Sequence, residues 1–147
     1  MPDSAVEGAA AAKPVPPKIV PLIRSDSKEY WAAAADGRFV LQQCGACSRF
    51  QFYPRSLCHY CFSTDLKWTE ASGGAEVYSY TRIYRPPTAA YRDEVPYVLA
   101  LVNLDEGPRM MTKIVTDDPE SVDIGMRVAV TFERIDDEVT LPCFRPA

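Results

Sequence analysis

Residues 44–61 read CGACSRFQFYPRSLCHYC. Cys44, Cys47, Cys58 and Cys61 therefore form two C-x2-C pairs with ten residues between them. Each pair can fold as a tight knuckle that aims two sulfurs at one point. Two knuckles supply the four thiolates of a tetrahedral zinc site. A lone C-x2-C reads equally well as a redox dithiol, whereas the doubled spacing reads as metal. A disulfide pair and an iron centre are the alternatives. With four protein ligands no position stays open for water or substrate. The expected Zn2+ is thus structural, which argues against metal-assisted catalysis.

The flanking residues extend this unit in both directions. Arg38–Gln43 (RFVLQQ) reads as a short strand entering the first knuckle. Phe50, Phe52 and Tyr53 are expected to shield the thiolates and form the small core of a ribbon. Upstream, Ser25–Gly37 reads as a helix. Asp26 and Glu29 have capping-box spacing, Tyr30, Trp31, Ala34 and Ala35 give an apolar side, and Gly37 suits the position after a helix end. Residues 1–24 are rich in Ala and Pro, with few large apolar groups, and are expected to form a flexible tail.

Beyond Gly73-Gly74, a bend or junction signal, the pattern turns to strands. Ala75–Tyr84, Tyr97–Leu104 (YVLALVNL), Arg109–Thr116, Arg127–Arg134 (RVAVTFER) and Glu138–Phe144 are the five expected strands. Asp105–Pro108 and Asp136-Asp137 supply turns. Five strands without a convincing helix suggest a small closed barrel, and an OB-fold matches the strand count. Pro142 inside the last strand requires an edge or a bulge there. The expected class is mainly β, an N-terminal helix plus a rubredoxin-like zinc ribbon followed by a five-stranded OB-fold barrel. The expected units are a tail over 1–24, helix and ribbon over 25–70, and barrel over 71–147.

A formal net charge of −4 conceals an asymmetry. Residues 38–92 hold seven basic and three acidic side chains, and residues 93–147 hold five and twelve. The metal-bearing part is thus locally basic, suited to a small phosphorylated ligand or an acidic partner surface. A pI near 5.0 speaks against whole-domain nucleic-acid binding. No apolar run reaches membrane-spanning length, and Ala9–Ala12 is too short for the core of a signal peptide. Cysteine in metal spacing, with Cys143 left over, fits a reducing cytoplasm.

Independent catalysis is not expected. Cys143 is the one thiol outside the ribbon and His59 the one histidine, placed inside the second knuckle. A nucleophilic cysteine needs a base beside it. There is no Gly-rich phosphate loop.

On the stretches YWAAAADGRFVLQQCGACSRFQFYPRSLCHYC, VYSYTRIYRP, PYVLALVNLDEGPRMMTKI and IGMRVAVTFE, in that order, the chain resembles a known family. This is the acyl-CoA-associated OB-fold family with an N-terminal rubredoxin-like zinc ribbon, long catalogued as a domain of unknown function. The resemblance runs from about Ser25 to the C-terminus. It implies a non-catalytic accessory subunit in a hetero-oligomer with a thiolase-fold catalytic subunit. Such partners include thiolases, hydroxymethylglutaryl-CoA synthases and lipid-transfer-protein-like aldolases, which make or break carbon–carbon bonds on CoA thioesters in lipid or aromatic degradation. Cys44, Cys47, Cys58 and Cys61 match the family's zinc ligands, and no catalytic residue carries over.

With CoA in view, the loop Tyr84–Pro96 (YRPPTAAYRDEVP) gains interest. OB barrels often bind ligands beside the first connecting loop, and arginine's planar fork suits phosphate. Arg82, Arg85, Tyr91 and Arg92 are the candidate contacts to a CoA thioester or to an acidic rim of the partner. A solvated loop is the ordinary alternative. The rival function is a nucleic-acid-binding ribbon–OB module with Tyr78, Tyr80 and Tyr84 as stacking platforms. The acidic second half makes nucleic acid the weaker expectation.

Overall fold

The computed structural model describes residues 14–147. Helix α1 (Lys28–Ala35) leads into β1 (Val40–Cys44), β2 (Phe50–Gln51) and β3 (Leu66–Glu70), a three-stranded antiparallel sheet in the order β2-β1-β3. There follow β4 (Gly74–Ile83), β5 (Tyr97–Leu104), β6 (Arg109–Ile114), β7 (Arg127–Arg134) and β8 (Thr140–Pro146). These close into a barrel in the order β4-β5-β6-β8-β7. Its pairs are antiparallel except β6–β8, which run parallel. The architecture is the mainly β one expected: helix, ribbon and five-stranded barrel.

Alternation builds the barrel wall. Along β5, Val98, Ala100, Val102 and Leu104 point into the core, with half-buried residues between them. In β4 the register against β5 shifts between Val77 and Ser79, which makes Tyr78 the extra residue of a bulge. A bulge bends and twists its strand, and β4 pairs with β7 at its first residues and with β5 along its length.

The helix is shorter than the sequence suggests, and the Asp26–Glu29 capping box does not form. Ser27 is the fully buried boundary residue. Its hydroxyl turns back, accepting from Arg24 N at 3.1 Å and donating to Arg24 O at 3.3 Å. At the other end Gly37 adopts φ +72°, as a residue after a helix end should.

Phe52 and Tyr53 pack against the helix. Tyr30 meets both rings, at 5.8 and 6.2 Å between centroids, and Trp31 Nε1 donates to Tyr53 OH at 3.2 Å. Phe39 then stands edge-on between Tyr30 and Phe144 of β8, 6.0 Å from the latter. One apolar core therefore runs from the helix through the ribbon base into the barrel. At the junction Gly73 has φ +77°, and a Cβ there would lie 2.5 Å from Val130 Cγ1. Only glycine fits both demands.

Pro142 sits in the weakest seam. β8 pairs with β7 along its whole length, but meets β6 in a single bridge, Ile114 with Phe144. At Pro142 a side-chain bond reaches across, Thr112 Oγ1 donating to Pro142 O at 3.4 Å. A residue without an N–H costs little where the ladder is already open. No helix among the described residues is long and apolar enough to cross a membrane. Of the tail expected over 1–24, residues 1–13 lie outside the described residues. Residues 14–24 carry neither helix nor strand.

Candidate metal centre and ligand surface

The two knuckles bring Cys44, Cys47, Cys58 and Cys61 together with all four Sγ atoms within 4.8 Å of one another. Cys44 and Cys61 sulfurs are 3.6 Å apart, and those of Cys47 and Cys58 3.7 Å. Disulfide sulfurs stand about 2.05 Å apart. Tetrahedral zinc with bonds of about 2.3 Å sets its sulfurs about 3.8 Å apart. The spacing therefore fits four ligands on one ion and not two disulfides. The thiols also crowd one another. Backbone N–H groups of Cys47 and Ala46 bring Cys44 down to about 7 against the opposing effect of burial. The Ser63 N–H favours the Cys61 thiolate, but burial and the three neighbouring sulfurs outweigh it and push Cys61 up to about 12. Gathering four thiolates without a cation is thus unfavourable, and a divalent ion relieves that repulsion.

The second knuckle is held by a pair of buried amides that sequence reading passed over. Gln42 and Gln51 face each other across β1 and β2. Gln51 Nε2 donates to Gln42 Oε1 at 2.8 Å, Gln42 Oε1 also accepts from Arg55 N, and Gln42 Nε2 donates to Arg55 O, both at 2.9 Å. Gln51 Oε1 accepts from His59 N at 3.1 Å. The pair thus pins residues 55–59 to the sheet. The available signal was glutamine within the strand segments that flank the first knuckle.

The candidate arginines separate. Arg82 is engaged within the chain: it donates to the carbonyls of Pro119, Glu120 and Val122 at 2.8–2.9 Å. Its guanidinium also lies 4.8 Å from the Tyr80 ring centre. Arg85 and Arg92 are exposed on the connection between β4 and β5, which contains a 3-10 helix over Ala89–Glu94. Tyr91, half-buried in that turn, lies under the Lys18 ammonium at 5.6 Å. The three tyrosines considered as stacking platforms have partners of their own. Arg109 covers Tyr78 at 3.4 Å, Arg82 covers Tyr80, and Tyr84 OH donates to Glu120.

Where β6 and β8 part, a cleft of about 420 Å³ opens. Leu99, Met111, Ile135 and Leu141 line it, and four charged groups alternate at its side. Lys113 Nζ bonds Glu94 at 2.9 Å and Glu133 at 3.0 Å, and Lys18 pairs with Glu94 and lies 3.8 Å from Glu133. Burial alone would raise Glu94, but Lys18 and Lys113 outweigh it and hold the carboxyl below its ordinary value. Burial likewise opposes the charge on Lys113, yet Glu94 and Glu133 raise it above the usual lysine value. Cys143 borders the same cleft, pushed up to about 12 by burial first and by Glu133 second. A thiol so raised is a poor nucleophile, and His59 lies on the ribbon, away from β8.

Ribbon, helix and barrel together define a protein of the zinc-ribbon and OB-barrel class. Residues 31–67 match the family described as ChsH2, rubredoxin-like zinc ribbon domain, and residues 68–133 match ChsH2, C-terminal OB-fold domain. The chain belongs to this ChsH2-type, or DUF35, family. It is 34% identical to a DUF35 domain-containing scaffold protein of Methanothermobacter thermautotrophicus, over 65% of this chain and 72% of that one. It is 42% identical to a probable enoyl-CoA hydratase alpha subunit of Thermomonospora curvata over 86% of this chain. That match spans only 39% of the relative's length. Among solved structures, a chain of the Ltp2-ChsH2(DUF35) aldolase superposes with TM-score 0.77 at 40% identity. The match covers 86% of this chain and 98% of that one.

Proposed function

We propose that this chain is a non-catalytic accessory subunit of a thiolase-like or aldolase-like enzyme that makes or breaks a carbon–carbon bond on a CoA thioester. The observation that carries this reading is the likeness to nearly the whole of one chain of the Ltp2-ChsH2(DUF35) aldolase. The hydratase relative supports the coarser statement, a part in acyl-CoA chemistry. The raised, buried Cys143 and the absence of a histidine beside it favour a partner that supplies the catalytic groups.

In this reading Cys44, Cys47, Cys58 and Cys61 hold one Zn2+. The ion supplies a cross-link between the two knuckles and no reaction step. Arg85 and Arg92, exposed and free of ion pairs among the described residues, are the candidate contacts for CoA phosphate or an acidic partner rim. The partner is a thiolase-fold subunit and the setting cytoplasmic.

Purification of the tagged chain from its own host under mild conditions tests the reading. The expected result is a thiolase-fold protein in fixed ratio, together with acyl-CoA activity. Recovery of the chain alone, or with nucleic acid that salt removes, overturns it in favour of a nucleic-acid module.

A further inference from the structure

We infer that the tip of the second knuckle is a docking surface for the catalytic partner, which meets it with an apolar hollow rimmed by carboxylates; the inference rests on the accessory-subunit reading above. Leu57, Tyr60 and Phe62 are 44%, 45% and 76% exposed, three large apolar side chains within six residues. Apolar residues exposed singly are ordinary, whereas a contiguous patch marks an interaction site. Phe62 is the informative member. It holds φ +62°, an uncommon backbone conformation for a bulky side chain, and its ring gains little burial within the chain. Glycine would meet the backbone demand without strain. A residue that breaks a local rule with no internal compensation points to function, and a bare ring is compensated when another molecule covers it.

The platform is rigid and its flanks are basic. Cys58 is buried beneath it, and Gln51 Oε1 accepts from His59 N at 3.1 Å. The knuckle is thus set before a partner arrives, which lowers the ordering cost of association. Residues 38–62 contain Arg38, Arg49 and Arg55 and no aspartate or glutamate. Arg49 and Arg55 are exposed and form no ion pair among the described residues. Arg49 lies over the Tyr60 ring at 4.8 Å. Tyr, Phe and Arg are the side chains enriched at interfaces. Residues 93–147 hold twelve acidic and five basic side chains. An acidic partner surface is therefore repelled by the barrel and drawn to the ribbon, which orients the encounter. Protein suits this patch better than nucleic acid. Leu57 offers no stacking face, and Arg49 already covers one face of Tyr60.

The test is titration of the immobilised full chain, at verified zinc content, with the thiolase-fold subunit recovered with it from the host. Phe62→Gly and Leu57→Ser are each expected to weaken binding at least tenfold, chiefly through faster dissociation. Phe62→Gly is the decisive variant because it eases the backbone. A chain that melts no lower than wild type yet binds less tightly has lost a contact and not its fold. Arg49→Ala with Arg55→Ala should slow association and flatten its salt dependence. Wild-type affinity in both apolar variants overturns the docking surface and leaves the accessory-subunit reading intact. Recovery of no thiolase-fold subunit with the wild-type chain overturns that reading, and the docking surface with it. If the variants lose salt-removable nucleic acid while binding the subunit normally, the patch belongs to nucleic acid and the inference falls. Leu57→Ser keeps the result interpretable should Phe62→Gly disturb the metal.

Discussion

Ser48 and Phe62 hold equivalent places in the two knuckles. Each follows the second cysteine of its pair, each has φ +62°, and each donates its backbone N–H to the carbonyl four residues earlier, Cys44 O and Cys58 O, at 2.8 Å. The metal-binding unit is thus built twice on one backbone plan. Both positions demand the left-handed region, which costs an L-residue about 1–2 kcal/mol.

Glycine at either place should therefore help. Ser48→Gly and Phe62→Gly are each expected to stabilise the metal-loaded protein by about 0.5–1 kcal/mol, after the larger entropy of glycine in the unfolded chain is counted. Phe62 is 76% exposed, so its removal sacrifices little burial. Urea midpoints at fixed metal occupancy check this, with higher midpoints and unchanged slopes expected.

The Gln42–Gln51 pair should matter to metal retention without touching the metal. Gln51→Leu leaves Gln42 Oε1 with fewer donors and His59 N without its acceptor. Buried groups left unpaired cost about 1–3 kcal/mol. Loss of zinc to a competing chelator should be faster in this variant than in wild type. Retention at the wild-type rate would show that the cysteines hold the knuckle unaided.

Phe39 couples ribbon to barrel. Its ring contacts Tyr30 on one side and Phe144 on the other. Phe39→Ala is expected to cost about 3–5 kcal/mol. It should also split a single thermal transition into two, visible when tryptophan fluorescence in the helix and ribbon is compared with far-ultraviolet dichroism.

The charged ring at the cleft predicts a pH window. The Glu94 carboxyl is held below its ordinary value, so its contribution is present above the unfolded carboxylate range and lost as pH falls through the lowered folded value. Lys113 is raised, so its contribution is present below the unfolded lysine range and lost as pH climbs through the raised value. Glu94→Gln should be less stable than wild type at neutral pH. The difference should shrink as pH falls below the ordinary carboxylate range, as read from urea midpoints at neutral and acid pH.

The arginines should part by role. Arg82→Ala breaks three bonds to carbonyls of the 119–122 segment and is expected to cost about 2–4 kcal/mol, since hydrogen bonds to charged groups are among the stronger ones. The double variant Arg85→Ala with Arg92→Ala should leave stability within about 0.5 kcal/mol. It should weaken CoA binding or assembly with the catalytic partner. Thermal melts and a CoA titration on both variants separate the two roles.

Much of this molecule is legible in the chain. Cysteine spacing marks the four ligands because a knuckle is a local object, closed by bonds spanning four residues. The alternation in RVAVTFER and the apolar run YVLALVNL mark β7 and β5 because strand periodicity is also local. The bulge at Tyr78 escaped detection because it depends on what β5 offers opposite. The packing of Phe52 and Tyr53 on the helix is not legible in the chain, because Tyr30 and Trp31 lie more than twenty residues away.

The sequence by itself determined the four-cysteine cluster, the helix–ribbon–barrel order and the five barrel strands, all of which rest on short-range geometry and hydrophobic pattern. Only the tertiary structure decided which arginines remain available. It bound Arg82 to carbonyls some forty residues away and left Arg85 and Arg92 in solvent. It alone produced the cleft, because that space exists only where β6 and β8, far apart in the chain, meet in a single bridge around a proline.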